Sequence, residues 1–184
     1  MGKEVIFIQG GGEGAYEMDR KLVASLQQAL GADYQVHYPR MPNEGAPDYT
    51  LWKGPIHSML AALHGESILV GHSVGGYLLV KYVTQEPLPS APIRGICLIA
   101  TPYPGGDEQW QFEGFSLPED FGRKFPANAR IWLYHSPDDQ TVPFAHMGLY
   151  AKHIPGATVR ETAGGHQLNN DVAQVAQDIR ATIS

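Results

Sequence analysis

Ser73 stands in the pattern Gly71-x-Ser73-x-Gly75, after an apolar run that ends at Val70 and before a stretch of helical spacing around Tyr77. A serine hydroxyl becomes a nucleophile only when a nearby base removes its proton. A sharp turn between a strand and a helix exposes such a hydroxyl, and small residues two positions away on either side prevent clashes in that turn. The pattern therefore predicts a nucleophilic serine. The alternative is a glycine-rich turn that carries a solvated serine.

Two aspartates and a histidine follow later predicted strands. Asp138 and Asp139 come after the run 129–136, and His166 comes after the run 157–161. Because parallel strands bring their carboxyl ends to one edge of a sheet, these side chains can meet Ser73 there. A carboxylate can fix the tautomer of a histidine, which then accepts the serine proton. Neighbouring residues project in different directions, so only one of the two aspartates can play this part.

The chain holds eight histidines, and His166 is the one whose position suits a base. His72 adjoins Ser73, but a residue at that place in the turn points away from the nucleophile, so we expect a buried supporting group. Others lie inside predicted strands or helices, or precede the nucleophile, and are expected to pack or face solvent. They are His37, His57, His64, His146 and His153.

The glycine-rich loop after the first predicted strand suits an oxyanion hole. Backbone N–H groups must face the negative charge that develops on a substrate carbonyl. We expect one from Val74, at the start of the helix after the nucleophile, and one from Gly11, with Gly10 or Gly12 as alternatives. A dinucleotide site is the competing interpretation of this loop. The glycines at 10, 12 and 14 lack the spacing that such a site requires.

Strand and helix patterns alternate along the whole chain, which predicts an α/β fold with one parallel sheet between two layers of helices. Uniformly apolar strands are typical of a sheet that is buried on both faces. The predicted strands are 5–8, 34–38, 68–70, 93–100, 129–136 and 157–161, and the predicted helices are 16–30, 48–64 with a kink or late start at Gly54-Pro55, 77–83, 143–154 and 168–183.

The segment 101–125 is the least regular part of the chain and is rich in aromatic residues. Long irregular segments in compact domains are often functional. We expect either a small lid over the site or a loop packed on the edge of the sheet. The aromatic residues are Tyr103, Trp110, Phe112, Phe115 and Phe121.

Composition points to a soluble globular protein of one domain, residues 1–184. The 184 residues are 43% hydrophobic with a formal charge of −6, and basic residues do not cluster, which disfavours nucleic acid or an anionic membrane as partner. Small neutral substrates fit better. The lone Cys97 lies in an apolar run, so we expect a reduced core thiol and, without an apolar leader or spanning segment, a cytoplasmic location. The pattern leaves the oligomeric state open.

Three segments together resemble the α/β-hydrolase superfamily, in the same order and over nearly the whole chain. They are 71–76 (GHSVGG), 139–143 (DQTVP) and 165–166 (GH), which resemble its nucleophile elbow, acid loop and histidine loop. The short chain is similar to the compact serine hydrolases related to retinoblastoma-binding protein nine. One departure is Gln9-Gly10, where the superfamily usually has His-Gly.

That resemblance implies a minimal α/β-hydrolase fold with about six mostly parallel strands, and Asp139 as the acid. It also implies hydrolysis of an ester, thioester or amide without a cofactor or metal. The hypothesis is a carboxylesterase-like serine hydrolase: Ser73 attacks a small ester, His166 transfers protons, and Gly11 and Val74 hold the oxyanion. The alternative is an interaction module that keeps the fold but turns over little substrate.

Overall fold

Six strands form one sheet in the computed structural model, which describes residues 3–111 and 113–183. Every neighbouring pair is parallel, and the order across the sheet is β2-β1-β3-β4-β5-β6. The predicted α/β fold is therefore confirmed, with a sheet that is wholly parallel. The strands are β1 (Lys3–Ile8), β2 (Tyr34–His37), β3 (Ser67–His72), β4 (Ile93–Ile99), β5 (Arg130–His135) and β6 (Thr158–Glu161).

Five α-helices within the described residues cover the two faces of this sheet. Successive side chains along a strand point to opposite faces, so both faces carry apolar residues that need a covering layer. On one face α1 and α5 pack together over Val5, Phe7 and Val70, and on the other α2, α3 and α4 cover Ile6, Ile8 and other residues of alternate parity. None of the helices in the described ranges is long and apolar enough to cross a membrane. The helices are α1 (Ala15–Leu30), α2 (Tyr49–Ala61), α3 (Val74–Gln85), α4 (Ala145–His153) and α5 (Ala173–Arg180).

The second helix begins at its predicted cap and contains a proline. Asp48 accepts hydrogen bonds from the backbone N–H groups of Thr50 and Leu51, and the helix continues through Pro55 to Ala61. A late start at Pro55 is therefore wrong. The Asp48 side chain accepts hydrogen bonds from N–H groups of the first turn that have no partner within the helix. This cap places the start of the helix before the proline.

The last helix is shorter than predicted, because residues 168–170 form a separate turn. Leu168, Asn169 and Asn170 have φ angles of 47°, 50° and 59°. Asparagine tolerates this left-handed conformation better than most residues. The N–H of Asn169 donates to the carbonyl of Gly164 at 2.9 Å and closes the loop that carries His166. The apolar spacing still marked the core correctly, since the side chains of Leu168, Val172, Val175, Ile179 and Ile183 are all buried.

The segment 101–125 contains two short 3-10 turns, Glu108–Trp110 and Phe121–Arg123. Phe121 is buried, and the ring of Phe115 lies 4.0 Å from that of Tyr77 between centroids. Phe112 lies outside the described residues. These contacts tie the segment to the helical layer that contains α3. Movement of the segment as a lid stays a prediction.

Cys97 is fully buried in β4, in agreement with the predicted core thiol. Its Sγ atom lies 4.0 Å from the hydroxyl of Tyr134 on the neighbouring strand. Burial raises the pKa of this thiol far above its ordinary value, since the thiolate would lose its hydration.

Candidate active site

Ser73 occupies a strained turn between β3 and α3. Its φ of 52° and ψ of −130° lie where side chains are rarely found, and its side chain is almost buried. The turn brings α3 close against neighbouring backbone. A Cβ atom on Gly75 would lie 1.9 Å from the carbonyl oxygen of Gln9, and one on Gly71 would lie 2.5 Å from the Cα of Gly76. The glycines two residues before and after Ser73 are therefore required by close backbone contact, which is the geometry of a nucleophile elbow.

Asp139 contacts His166 across two loops. Its Oδ2 atom lies 2.8 Å from Nδ1 of His166 and 3.1 Å from Nε2 of His135, and its Oδ1 atom accepts the N–H groups of Thr141 and Val142. Burial alone would raise the pKa of the Asp139 carboxyl group, but these hydrogen bonds outweigh it and hold the pKa well below its usual value. Asp139 is therefore ionised at neutral pH.

His166 is the partner of Asp139 and is neutral near pH 7. Burial of its ring, which is 18% exposed, and the charge of His72 lower the pKa of His166, and the nearby Asp139 does not offset them. In the neutral ring, the Nδ1 proton donates to the carboxylate and the other nitrogen keeps a free lone pair. This arrangement suits a general base.

Asp138 supports the same loop from a different direction. Its carboxylate accepts the N–H of Gly165 at 3.0 Å and the hydroxyl of Ser136. The structure thus separates the two adjacent aspartates: Asp139 contacts the ring of His166, and Asp138 contacts the backbone just before it.

The ring of His72 lies next to that of His166. Within the described residues the Ser73 hydroxyl makes no hydrogen bond to the His166 ring. His72 directly precedes Ser73, and its ring centroid lies 4.8 Å from that of His166. Catalytic hydrogen bonds are often long before substrate binds, so this geometry is compatible with a serine and a base that meet in the bound complex.

The loop after β1 leaves one backbone N–H group uncommitted near Ser73. Gly10 N–H donates to Asp19 at 2.7 Å, and Gly12 N–H donates to the carbonyl of Glu44 at 2.6 Å. Gly11 N–H has no acceptor within the described residues. A Cβ atom on Gly11 would lie 3.3 Å from that of Val74, whose N–H is one of the unpaired groups at the start of α3. Of the three predicted alternatives, Gly11 is the one with a free donor.

Gln9 holds this loop in the place where the superfamily usually has histidine. Its side-chain oxygen accepts the N–H of Met41 at 2.9 Å, and its side-chain nitrogen donates to Glu44 at 2.9 Å. Glu44 also accepts the N–H of Tyr16, at the start of α1. These bonds connect the loop after β1 to the following helix and to the loop after β2.

Sequence reasoning missed two buried polar residues at the site, Asp19 and His135. Asp19 lies 2.9 Å from Nδ1 of His72, in agreement with the expected supporting role of that histidine. A signal for Asp19 was present, because it shares the spacing of Ala15, Leu22 and the other buried residues of α1. An acidic residue on an apolar helix face indicates a buried partner. His135 gave a weaker signal, four residues before Asp139 at the end of a strand.

A cavity of about 660 Å³ opens beside the Gly11 and Val74 donors. It follows one face of α3 past Tyr77 and Leu78 to Lys81, which lies seven residues beyond Val74, a distance of about 10 Å along a helix. Tyr49 and Phe115 contribute aromatic walls. Within the described ranges no three His, Cys, Asp or Glu side chains are grouped as metal ligands would be.

Replacing Gly75 by alanine should prevent the elbow from forming. The added methyl group meets the backbone of Gln9, which cannot move aside as a flexible side chain would. We expect a loss of about 3 kcal/mol or more in the free energy of unfolding, measured in urea. Gly148→Ala is the matched control, because that glycine lies in α4 with open space around it. Its stability should be unchanged or slightly higher, and equal stability of the two variants would contradict the close-contact explanation.

Comparison with known proteins gives the family of this fold. A model of the alpha/beta hydrolase family matches residues 5–178. The ydeN gene product from B. subtilis is 20% identical with a TM-score of 0.70, covering 99% of this chain and 98% of that one. A serine hydrolase involved in carbazole degradation, the CarC enzyme, is 16% identical with a TM-score of 0.70, covering 99% and 91%.

Alpha/beta hydrolase domain-containing protein 10 from mouse is 18% identical with a TM-score of 0.67, covering 98% of this chain and 90% of that one. At these identities the similarity shows the fold alone. A search of curated proteins by sequence found no significant match. The family model spans nearly the whole chain, and with the parallel sheet and the elbow described above it shows that this protein belongs to the alpha/beta hydrolase family.

Proposed function

We propose that this protein is a serine hydrolase that cleaves small carboxylic esters through an acyl-enzyme formed on Ser73. The observation that carries the proposal is the 2.8 Å contact between Asp139 and Nδ1 of His166. It fixes the tautomer in which the second ring nitrogen can accept the proton of a nucleophile. Membership of a hydrolase family supports the general class of reaction.

In the proposed mechanism His166 accepts the Ser73 proton as the serine oxygen attacks the ester carbonyl. The carbonyl electron pair moves onto oxygen, where the N–H groups of Gly11 and Val74 stabilise the negative charge. As the tetrahedral intermediate collapses, the protonated His166 gives its proton to the departing alcohol. Water then attacks the acyl-enzyme by the same route, with the proton returned to Ser73. Asp139 remains ionised throughout, in line with the low pKa of its carboxyl group.

The cavity beside Gly11 and Val74 supports a small substrate with an apolar or aromatic group. Tyr49, Tyr77 and Phe115 offer ring surfaces, and Lys81 limits the far end with a charged group. Ester, thioester and amide carbonyls all fit the proposed chemistry, and an ester needs less help with its leaving group than an amide does.

Three further expectations remain predictions. They are the narrower similarity to compact serine hydrolases related to retinoblastoma-binding protein nine, the cytoplasmic location, and the absence of nucleic-acid or membrane partners. The CarC enzyme, described as a serine hydrolase, offers a precedent for serine chemistry on a fold of this kind.

A fluorophosphonate probe tests the proposal directly. The Ser73 oxygen should displace fluoride from the probe, giving one covalent adduct visible in the intact mass and absent from Ser73→Ala. Peptide mapping would place the adduct. An unmodified wild-type protein that is fully folded would overturn the enzyme proposal and favour an interaction module.

Exchanging each adjacent aspartate for asparagine should separate their roles. Asp139→Asn removes the charge that fixes the His166 tautomer, so kcat on a p-nitrophenyl ester should fall by about 100-fold or more, on the order of 3 kcal/mol. Asp138→Asn keeps an oxygen that can accept the Gly165 N–H, so kcat should stay within about tenfold of wild type. The reverse pattern would move the acid to Asp138. Two fully active variants would exclude the triad.

Acyl-chain length should be limited by Lys81. On p-nitrophenyl esters from acetate to palmitate, kcat/KM should rise by up to about fourfold per buried methylene, or about 0.8 kcal/mol, and level off after a few carbons. Lys81→Met should extend the rise to longer chains, because the charged end of the cavity becomes apolar. Lys53→Met is the control, since Lys53 also lies over the ring of Tyr49 but does not line the cavity. A steady rise to palmitate in the wild type would contradict the short pocket.

A further inference from the structure

A second carboxylate–histidine pair lies beneath the proposed catalytic residues. The Oδ2 atom of Asp19 is 2.9 Å from Nδ1 of His72, and each side chain is only 1% exposed. Asp19 comes from α1 and His72 from the end of β3, so the pair joins two elements that are far apart in the chain. The proposed reaction uses neither residue directly.

This pair contacts three of the four segments that form the candidate site: the oxyanion loop after β1, the elbow at Ser73 and the histidine loop around His166. Asp19 accepts the N–H of Gly10 at 2.7 Å and the side-chain amide of Gln167 at 3.0 Å. Nε2 of His72 lies 2.9 Å from the backbone carbonyl of His166. The oxyanion loop, the elbow and the histidine loop are thus connected through the buried Asp19–His72 pair.

Both ring nitrogens of His72 face a hydrogen-bond acceptor. Nδ1 faces the Asp19 carboxylate and Nε2 faces a backbone carbonyl, and neither of these oxygens can donate a hydrogen bond. Burial alone would lower the pKa of His72, but the charge of Asp19 and the hydrogen bonds to Asp19 and to the His166 carbonyl together outweigh burial and raise it. For Asp19 the opposing pull of burial is likewise outweighed, chiefly by His72, and its pKa is lowered. The two acceptors and both pKa directions favour a buried imidazolium paired with a carboxylate.

We propose that the Asp19–His72 ion pair is a positioning element of this hydrolase, which holds the oxyanion loop and the histidine loop in place relative to the elbow. The inference rests on the proposed function. Because Asp19 occupies the N–H of Gly10, the next residue, Gly11, is left as the free donor on that loop. Because His72 directly precedes Ser73 and contacts the backbone carbonyl of His166, it ties the histidine loop to the elbow.

The imidazolium also acts on His166 through its charge. Asp139, Asp19 and His72 are the charged groups that face the His166 ring or its loop, together with Asp138, which accepts the neighbouring N–H of Gly165. Burial lowers the pKa of His166, and the charge of His72 lowers it further, while Asp139 and Asp19 oppose this effect. Removing the His72 cation should therefore raise the pKa of His166.

Two substitutions of His72 each keep one of its two hydrogen bonds and remove the other. An asparagine nitrogen lies near the place of the histidine Nδ1 and can still bond Asp19, whereas a glutamine nitrogen lies near that of Nε2 and can still bond the His166 carbonyl. We expect kcat to fall by roughly 10- to 100-fold in His72→Asn, with KM within about threefold, because the base is displaced. His72→Gln should keep more activity. In both variants the acid limb of kcat/KM should move to higher pH, since a neutral residue replaces the cation.

Asp19→Asn tests the carboxylate. Gln167 Oε1 accepts no hydrogen bond within the described residues, so the Gln167 amide can turn to accept from the new asparagine. The variant thus loses the charge while it keeps its shape. We expect kcat to fall by roughly tenfold or more, with a smaller shift of the acid limb, because a cation and an anion near His166 are lost together.

Asp178→Asn is the matched control. Asp178 is a buried carboxylate that pairs with Arg160 at 2.9 Å and accepts the hydroxyl of Tyr134, without contacting the three loops. It should lower the melting temperature but leave kcat and the pH profile of the folded enzyme unchanged. If the Asp19–His72 pair only stabilised the fold, its variants would likewise lower the melting temperature and leave kcat and the pH profile unchanged.

Nitrogen NMR of labelled protein gives a readout that does not need activity. The His72 ring should show two protonated nitrogens at pH 7 in the wild type and one in Asp19→Asn. A neutral His72 in the wild type overturns the inference, as do unchanged kcat and pH limbs in all three variants of an active enzyme; the proposed function would then stand. A wild type that neither labels at Ser73 nor cleaves esters overturns the proposed function and the positioning role together.

Discussion

The close passage of α3 over the backbone of Gln9 is the constraint on which the site depends. It allows no side chain at Gly75, and it forces Ser73 into a backbone conformation that strands and helices do not use. The start of α3 also lies beside the loop after β1, where a Cβ atom on Gly11 would be 3.3 Å from that of Val74. The strands that carry this passage, β1 and β3, pair in parallel, and residues 5–8 and 67–72 are buried, which keeps the passage from relaxing.

Two carboxylate–histidine pairs lie close together and differ in their surroundings. His166 meets the carboxylate of Asp139 at Nδ1 and is 18% exposed, and the pKa of its ring is lowered. His72 has an acceptor at each ring nitrogen and is buried, and the pKa of its ring is raised. The same two residue types therefore serve different purposes, and the number of acceptors around the ring decides which.

The sequence allowed the alternation of strands and helices, the buried strands and the likeness of three short segments to be recognised, because each depends on local spacing. The choice between Asp138 and Asp139 required the family resemblance, since local spacing does not show which of two adjacent side chains on a turn faces His166. The left-handed turn at 168–170 could not be foreseen, because the apolar spacing continued through it and its cause is a bond to Gly164. Asp19 could be placed on a buried face, but its partner His72 is 53 residues away and only the fold brings them together.

The thiol of Cys97 can report when the β-sheet opens. It is the one cysteine in the sequence, it lies at the centre of the sheet, and its pKa is raised by burial. An alkylating reagent reacts with the thiolate of an accessible cysteine, so modification has to wait until β4 separates from its neighbours. The rate of that modification is consequently a measure of how often the sheet opens, obtained without an added label and without reference to any substrate.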